Sequence, residues 1–518
     1  MAASEPTTLL ARSPTTLLYT AAQVRELDRQ AIEELHVDGY ALMEQAGEAA
    51  FAALLVEWTQ VRHVVVICGA GNNGGDGYVI ARLAQEHGFD VQLWAATPVD
   101  KLSGSAKLAA DAAIESGVSV QPLRPGDLVT WPSTGVVVDA LLGTGLQGNV
   151  RAEQAAIIEQ MNLSGLPVLA VDVPSGLCSD TGNVLGCAVK ADLTITMIAH
   201  KRGLFTAQGP VYAGDVRLAK LGVPQAVLDT QIPSGQLMSW HQIQRLNPLV
   251  GRRVLDAHKG HFGHVVICGG DSGFGGAVIM AAGAALRAGA GLVSVATHGA
   301  HIAPLLARYP EVMAHAVAGG QDAQGLLAKA DVIVIGPGLG QGHWGQQLLQ
   351  QVMLLDTPVV LDADALNLLA QGRIQHNLGA RDSVMTPHPG EAARLLDVAT
   401  DQIQRDRFYA ANQLSERYHS HVVLKGLGTL VTDGQHMRVC TDGNPGMASG
   451  GMGDVLCGIL GAMLAIQQNP ATHTKCSLKL AVETAVCLHS AAADMASAEG
   501  ENGMVATDLL PSVRRLLA

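Results

Sequence analysis

A dense basic run is missing from this sequence. Its 33 Lys and Arg are outnumbered by 46 Asp and Glu, leaving a formal charge of −13, and nowhere do they gather into a patch able to neutralise a phosphate backbone. No nucleic-acid partner is therefore expected. Long apolar runs are missing too: stretches such as 455–466 fall well short of the roughly 18 to 20 residues that cross a bilayer, so no membrane partner is expected. The opening MAASEPTTLLARSPTT lacks the charged start and apolar core of a secretory signal and reads as a short frayed tail. The eight cysteines (68, 178, 187, 268, 440, 457, 476 and 487) include no Cys-x-x-Cys pair. That argues against a disulfide framework and a structural zinc site and fits a reducing cytoplasm. Aromatics are only 3% and charged residues 15% of the chain, against 48% hydrophobic, so the apolar content is mostly Ala, Val and Leu, joined by 59 Gly. That profile belongs to packed α/β domains. At roughly 150 residues per domain, the 518 residues predict two or three domains.

Thr20-Ala-Ala-Gln23 has capping-box spacing, and the pattern over 21–35 predicts an amphipathic helix that opens the first domain. Short β-branched runs follow at 64–67, 136–138, 168–171 and 193–196, with helical stretches between them at 78–87 and 153–161. Strands alternating with helices imply a parallel sheet covered on both faces. Around 220–252 Pro and Gly interrupt any period, so 226–250 reads as a linker between one domain at 15–225 and another at 251–518. The second strand series runs through 264–268, 291–297, 331–335, 358–361, 383–386 and 421–431. The expected fold class is thus α/β: two doubly wound domains, the first Rossmann-like.

Cys68-Gly-Ala-Gly-Asn-Asn-Gly-Gly-Asp-Gly77 follows the run at 64–67 and precedes a helix. Backbone N–H groups exposed by glycines at a helix N-terminus suit an anion, with phosphate the natural ligand. The turn is neither G-x-G-x-x-G nor a Walker A loop. It also reads as a plain strand-to-helix turn, yet Asn72, Asn73 and Asp76 are more polar side chains than such a turn needs. Two further strand ends carry polar groups: Asp139 leading into Gly143-Thr-Gly-Leu-Gln-Gly-Asn149, and Asp172-Val-Pro-Ser175-Gly176. Ligands of open α/β sheets bind outside the carboxyl ends of the strands, where these loops converge. Asp139, Asp172, Asn73 and Ser175 then offer hard oxygens, which suit an alkali or alkaline-earth cation better than zinc. Each Asp taken singly is also an ordinary N-cap or turn residue.

In the second half, Gly443-Asn-Pro-Gly-Met-Ala-Ser-Gly-Gly-Met-Gly-Asp454 precedes the apolar stretch 455–466. Glycines 450, 451 and 453 make an anion hole, and Asp454 at the helix start can act as general base on a hydroxyl held against it; a Gly-Asp pair is otherwise a cap. In Thr386-Pro-His-Pro-Gly-Glu391 the prolines fix His388, which can meet a polar substrate group or remain solvated. Lys425-Gly-Leu-Gly-Thr429 offers a cation and flexible backbone to nucleotide phosphates, or forms a hairpin turn. Ile335-Gly-Pro-Gly-Leu-Gly340 is another glycine-rich strand exit; Lys259-Gly-His-Phe-Gly263 and Gly275-Gly-Ala277 complete the set with no chemistry legible in them.

Together GAGNNGGDG, DALLGTGL and VDVPSG resemble the NAD(P)HX epimerase family. KGHFGHV, GPGLG, TPHPGE, KGLGT and NPGMASGGMGD resemble the ADP-dependent NAD(P)HX dehydratases, relatives of the ribokinase-like fold. The order of the halves is similar to that of bifunctional nicotinamide nucleotide repair enzymes, and the likeness covers nearly the whole chain. Ala70 departs from it, since proline is usual there, but every polar group of the loop stays in place.

The resemblance implies a damaged substrate, the hydrate formed when water adds across the C5–C6 double bond of NADH or NADPH, with R and S forms at C6. It implies that Asn72, Asn73, Gly74, Gly75 and Asp76, with Gly143, Thr144, Gly145, Leu146, Gln147, Gly148 and Asn149, bind the dinucleotide. Asp172 would touch the hydrated ring as the acid/base group, and Asn73, Asp139 and Ser175 would hold K⁺. In the second half it implies ADP on Lys425, Gly426, Leu427, Gly428, Thr429 and Gly453, and the hydrate near Ala277, Gly338, His388 and Asp454. Phosphorylating the C6 hydroxyl replaces a hydroxide leaving group by phosphate, which explains why a kinase-like fold would dehydrate. Asp454 would deprotonate that hydroxyl, the 450–453 turn would stabilise the transferred phosphoryl group, and Mg²⁺ would neutralise the nucleotide phosphates. AMP, phosphate and the normal dinucleotide are the implied products, and a homo-oligomer is expected. The rival reading is a ribokinase-like small-molecule kinase carrying a dinucleotide-binding or scaffold domain, since GGMGD is shared across that fold.

Overall fold

Valine runs dictate the centre of the first sheet. In the computed structural model, which describes residues 16–33, 38–246, 250–251, 253–468 and 477–518, the side chains of 64–67 and 136–138 have no exposed surface, as strands covered on both faces require. Alternate residues feed opposite cores: Val64, Val66 and Cys68 pack into one cluster with Tyr78, Ala81 and Ala109, whereas Val65 and Ile67 pack with Ile157, Ile158 and Met161.

The chain divides into two units between Gln236 and Leu237. In the first, the strands are β1 (Leu17–Tyr19), β2 (His63–Cys68), β3 (Asp90–Ala95), β4 (Val120–Pro122), β5 (Val136–Ala140), β6 (Val168–Val171), β7 (Leu193–Met197), β8 (His200–Lys201) and β9 (Asp215–Ala219), with β10 (Gly235–Met238) at the division. Seven of them form one parallel sheet in the order β4-β3-β2-β5-β6-β7-β9. Strand order reverses between β2 and β5, the switch point at which loops diverge and leave a crevice. Beside this sheet, β1 pairs with β8 and β10. The helix Ala21–Glu33 opens on the expected reciprocal bonds, Thr20 N to Gln23 Oε1 at 2.9 Å and Gln23 N to Thr20 Oγ1 at 3.3 Å; positions 34 and 35 lie outside the described residues.

The second unit has β11 (His264–Cys268), β12 (Leu292–Thr297), β13 (Met313–Ala316), β14 (Val332–Ile335), β15 (Val359–Leu361), β16 (Ser383–Met385), β17 (His421–Leu424), β18 (Leu430–Thr432) and β19 (Met437–Cys440). Their order is β13-β12-β11-β14-β15-β16-β17-β18-β19, parallel up to β17 and antiparallel from β17 to β19. Here the reversal lies between β11 and β14. The run 421–431, read as one strand, is a hairpin, because Gly426 and Gly428 take positive φ between β17 and β18. The helix Met452–Gln468 is buried around nearly its whole circumference, which is why its sequence shows an apolar run and no stripe.

Two doubly wound α/β domains, Rossmann-like and ribokinase-like in order, are thus what the chain forms. Residues 226–250, read as a linker, contain β10 and the helix Trp240–Leu246, with Met238, Trp240 and Ile243 buried in the second unit's core; 247–249 lie outside the described residues. The prolines around these short elements hide their periodicity. Among the described residues no helix is long and apolar enough to cross a membrane. Cysteines 68, 178, 187, 268, 440, 457 and 487 are free thiols, and Cys476 lies outside the described residues.

Candidate active sites

At the first switch point, Gly69 N donates to Ala140 O at 2.9 Å, tying together the two loops that leave β2 and β5. A cavity of about 870 Å³ opens above them, lined by Asn72, Asn73, Asp76, Gly143, Thr144, Gly145, Leu146, Gln147, Asn149 and Asp172. Asn72 begins the helix Asn72–Glu86, whose N-cap is Gly71 with no side-chain cap; its first N–H groups are thereby left for an anion. Gly74 and Gly75 face the protein instead: a Cβ on Gly74 would lie 2.2 Å from Gly69 O, and one on Gly75 2.5 Å from Met43 Sδ. They allow the loop to close on itself, and with Gly148 they stay out of the cavity lining.

Below the cavity floor the structure brings together Asn73, Asp139 and Ser175. Ser175 N and Oγ donate to Asp139 at 2.8 and 2.6 Å, Leu142 N donates to Ser175 Oγ at 2.7 Å, and Asn73 Nδ2 donates to Leu142 O at 2.9 Å. Asn73 Oδ1 is buried and has no partner among the described residues, which is costly unless something outside the chain fills the place. Burial pushes Asp139 up to about 6, against the pull of its bonds from Ser175 and Leu141. An orphaned amide oxygen, a hydroxyl and a carboxylate short of positive charge fit a monovalent cation.

Asp172 sits just beyond β6 with φ +66, a conformation that costs a non-glycine residue about 1–3 kcal/mol. Its Oδ1 accepts from Met197 N at 3.0 Å and from the Lys201 ammonium. Lys201 and Asp28 also line the cavity, as does Arg25, whose guanidinium donates to Thr144 O at 3.3 Å. None of these three was singled out by sequence reasoning. Lys201 follows the run at 193–196 within His200-Lys201-Arg202, where a lysine looks like a solvated loop residue; Asp28 sits in a helix that shows only amphipathic patterning.

The second unit repeats the plan. Asp454 lies in the first turn of the helix Met452–Gln468. It is pushed up to about 7 by burial and then by Asp362, against the pull of Lys425. A Cβ on Gly453 would lie 3.3 Å from Asp362 Oδ2 and 3.4 Å from Lys425 Nζ. Asp362, just past β15, accepts from Lys425 at 2.7 Å and from Thr386 Oγ1 at 2.8 Å. Its burial opposes ionisation, but the Lys425 charge prevails and holds it below the usual carboxylate range. Lys425 opens the hairpin turn completed by Gly426, Leu427, Gly428 and Thr429, and the buried Arg407 guanidinium donates to the carbonyls of Leu424 and Lys425 at 3.3 Å from beneath. Asp362 and Arg407 were missed; a carboxylate directly after the run 358–361 was the available signal for Asp362.

Ala277 and Gly338 come together across β11 and β14, since a Cβ on Gly338, whose φ is +56, would lie 3.2 Å from the Ala277 Cβ. His388 is the N-cap of the helix Pro389–Leu396, its Nδ1 accepting from Gly390 N at 2.9 Å. That bond needs the unprotonated nitrogen; burial, followed by the charges of Lys425 and Arg394, holds the ring's affinity for a proton down.

Residues 39–203 match the family model described as YjeF-related protein N-terminus, and residues 265–515 the model described as NAD(P)H-hydrate dehydratase. The bifunctional NAD(P)H-hydrate repair enzyme of Coxiella burnetii is 47% identical over 504 residues, covering 97% of this chain and 99% of the relative. That of Escherichia coli is 42% identical over 513 residues, covering 97% and 94%. The chain belongs to the bifunctional NAD(P)H-hydrate repair enzymes. Among solved structures, the ADP/ATP-dependent NAD(P)H-hydrate dehydratase from Bacillus subtilis, co-crystallised with ATP and Mg²⁺, is 27% identical and covers 54% of this chain and 96% of its own, with a TM-score of 0.46. A single relative of this repair family spans both units, which sets aside the lone small-molecule kinase with a scaffold domain.

Proposed function

We propose that the chain repairs hydrated nicotinamide dinucleotides at two centres: the first unit interconverts the R and S forms at C6, and the second dehydrates the S form at the expense of ADP, releasing NAD(P)H, AMP and phosphate. The observation that carries this reading is the gathering of each unit's candidate residues at the carboxyl ends of its strands around the reversal of strand order. Asp172 meets the hydrated ring from the cavity wall, and the helix start at Asn72 takes the dinucleotide phosphates. Asn73, Asp139 and Ser175 would hold K⁺, which would supply a fixed positive charge to the dinucleotide site.

In the second unit Asp454 takes the proton from the C6 hydroxyl. Its elevated proton affinity suits a base working near neutrality. Lys425 and the N–H groups around Gly453 face the phosphates of the nucleotide, and phosphate then leaves C6 where hydroxide would not. Mg²⁺, bound with the nucleotide, would neutralise its phosphates. Ala277, Gly338 and His388 border the hydrate. The scattered cysteines, with no Cys-x-x-Cys pair among them, support a reducing cytoplasm as the working compartment. Incubating the purified protein with mixed R and S hydrate tests the whole reading. Dihydronicotinamide absorbance should return to completion only with ADP present; loss of hydrate at the same rate without ADP would refute it.

A further inference from the structure

Lys201, at the end of β8, has no exposed surface. Its ammonium is bound to Asp172 Oδ1 and donates to Met197 O at 2.7 Å. Asp172 Oδ1 also accepts from Met197 N at 3.0 Å and Thr196 Oγ1 at 3.4 Å, so this carboxylate is held from the β7–β8 side. Two other carboxyl groups line the same cavity: Asp28 from the helix Ala21–Glu33, and Asp76, only 8% exposed, from the helix Asn72–Glu86.

The electrostatic balance follows from these placements. Arg25, Arg151 and Glu153 also line the cavity, the Arg25 guanidinium turned to Thr144 O, but the cation that acts on Asp28 and Asp76 is Lys201, which these two share with Asp172. His200, next to Lys201, brings no charge near neutrality, since burial and then Lys201 push it down to about 4, and burial and then Asp76 push the Cys68 thiol on β2 up. With all three carboxyls ionised, the group they form with Lys201 would carry a net charge of −2, and a buried carboxylate without a partner takes a proton instead. Asp76 bears most of this pressure, from burial first and then from Asp172 and Asp28; Asp28 is raised by burial, with Lys201 pulling against it and Asp172 adding to it.

We propose that Lys201 is the positioning residue that keeps Asp172 as the ionised base of the epimerisation site, and that Asp76 is a second catalytic residue, the one that carries the proton delivered to the C6 oxygen. The inference rests on the assignment of epimerisation to the first unit. In one direction the Asp76 proton passes to the C6 hydroxyl oxygen. The C6–O bond breaks, its electron pair leaves with the water formed, and the N1 lone pair makes the C6=N1 bond of an iminium ion facing the Asp172 carboxylate. Water then adds to the opposite face of C6, its electron pair forming the new C–O bond while its proton goes to Asp172. The hydrate is restored with inverted configuration and nothing is oxidised or reduced; Asp172 then releases its proton to water and Asp76 takes one up, and the return path uses the two carboxyls with roles exchanged.

The full-length protein, with Asp76→Asn, Lys201→Met and Lys201→Arg variants, tests this on mixed hydrate with excess ADP, each R-form rate being read against S-form dehydration in the same tube. Asp76→Asn, isosteric and uncharged, should lower R-form conversion at least about 100-fold and abolish the fall in rate at high pH that marks loss of an acid. Lys201→Met should move the low-pH limb of epimerisation up by about one pH unit or more, because a carboxylate deprived of its cation takes a proton more readily; Lys201→Arg should restore the limb. Infrared difference spectra near pH 7 should show a protonated-carboxyl stretch in the parent protein that Asp76→Asn removes, a readout that survives if Lys201→Met does not fold. An Asp76→Asn rate within about tenfold of the parent overturns the role of Asp76, and identical low-pH limbs for a folded Lys201→Met and the parent overturn that of Lys201. A parent protein that dehydrates the S form yet never converts the R form overturns the assignment of epimerisation, and both roles with it.

Discussion

Lys425 Nζ lies 2.7 Å from Asp362 Oδ1, and a Cβ placed on Gly453 would be 3.4 Å from the same ammonium. The pair therefore stands against the turn that presents Asp454, and its two charges act on that carboxyl in opposite senses: Asp362 raises its proton affinity and Lys425 lowers it.

A pH dependence follows. Asp454, at about 7, must be unprotonated to act as base, so kcat/KM for dehydration should climb with pH and level off above about 7. Asp362→Asn removes the raising charge and should displace the climb to lower pH. Lys425→Met removes the lowering charge and should displace it to higher pH, whatever each costs in plateau rate. Profiles of S-form dehydration for the three proteins check this; displacement of both variants in one direction would contradict the arrangement.

Asp454→Asn keeps the shape of the turn but cannot take a proton. Dehydration should cease while R and S forms still interconvert, because Asp454 belongs to the second unit and the epimerisation residues to the first. The measurement is ADP-dependent absorbance recovery alongside chromatographic separation of the epimers. Residual dehydration within about tenfold of the parent, roughly 1.4 kcal/mol of barrier, would show that another group is the base.

These groups differ in how readily the sequence reveals them. Asp454, Asp139, Asp172 and Ser175 sit one to four residues past an apolar run or at a glycine-rich helix start, and local pattern suffices to place them at the carboxyl ends of strands. Lys201, Asp28, Asp362 and Arg407 acquire their roles through partners 18 to 173 positions away along the chain, such as Asp172 for Lys201, Lys201 for Asp28, Lys425 for Asp362 and the Lys425 carbonyl for Arg407, and no spacing rule within one sequence reports such a pair. The same limit hid β10 and the helix Trp240–Leu246: each is too short to show a period, and their burial comes from what packs on them.

Asp172→Asn should trap the R form. The S form would still be dehydrated, so a racemic mixture should stop near half conversion apart from slow spontaneous epimerisation. Reaction end points with excess ADP, with the residual hydrate identified by chromatography, decide the matter. Rapid consumption of both forms would remove Asp172 from the chemistry.

The cation site makes a prediction about salt identity. Asn73 Oδ1 is buried without a partner among the described residues, while Asp139 is satisfied only by neutral donors of Ser175 and Leu141. One carboxylate with two neutral oxygens nearly balances a single positive charge, whereas a dedicated divalent site more often gathers several carboxylates. An ion that binds the folded chain alone stabilises it by mass action, by about 2.7 kcal/mol when its concentration is 100 times its Kd. Replacing K⁺ by tetramethylammonium, too bulky for a site built on these three side chains, should lower the unfolding temperature of the first unit and raise the R-hydrate concentration needed for half-maximal epimerisation. Asp139→Ala in K⁺ should reproduce both losses and respond no further to the change of salt. Were Asp139 only the cap of the turn before Gly143, the substitution would lower the unfolding temperature and leave the parent's response to K⁺ and tetramethylammonium equal, which would remove the cation from the site.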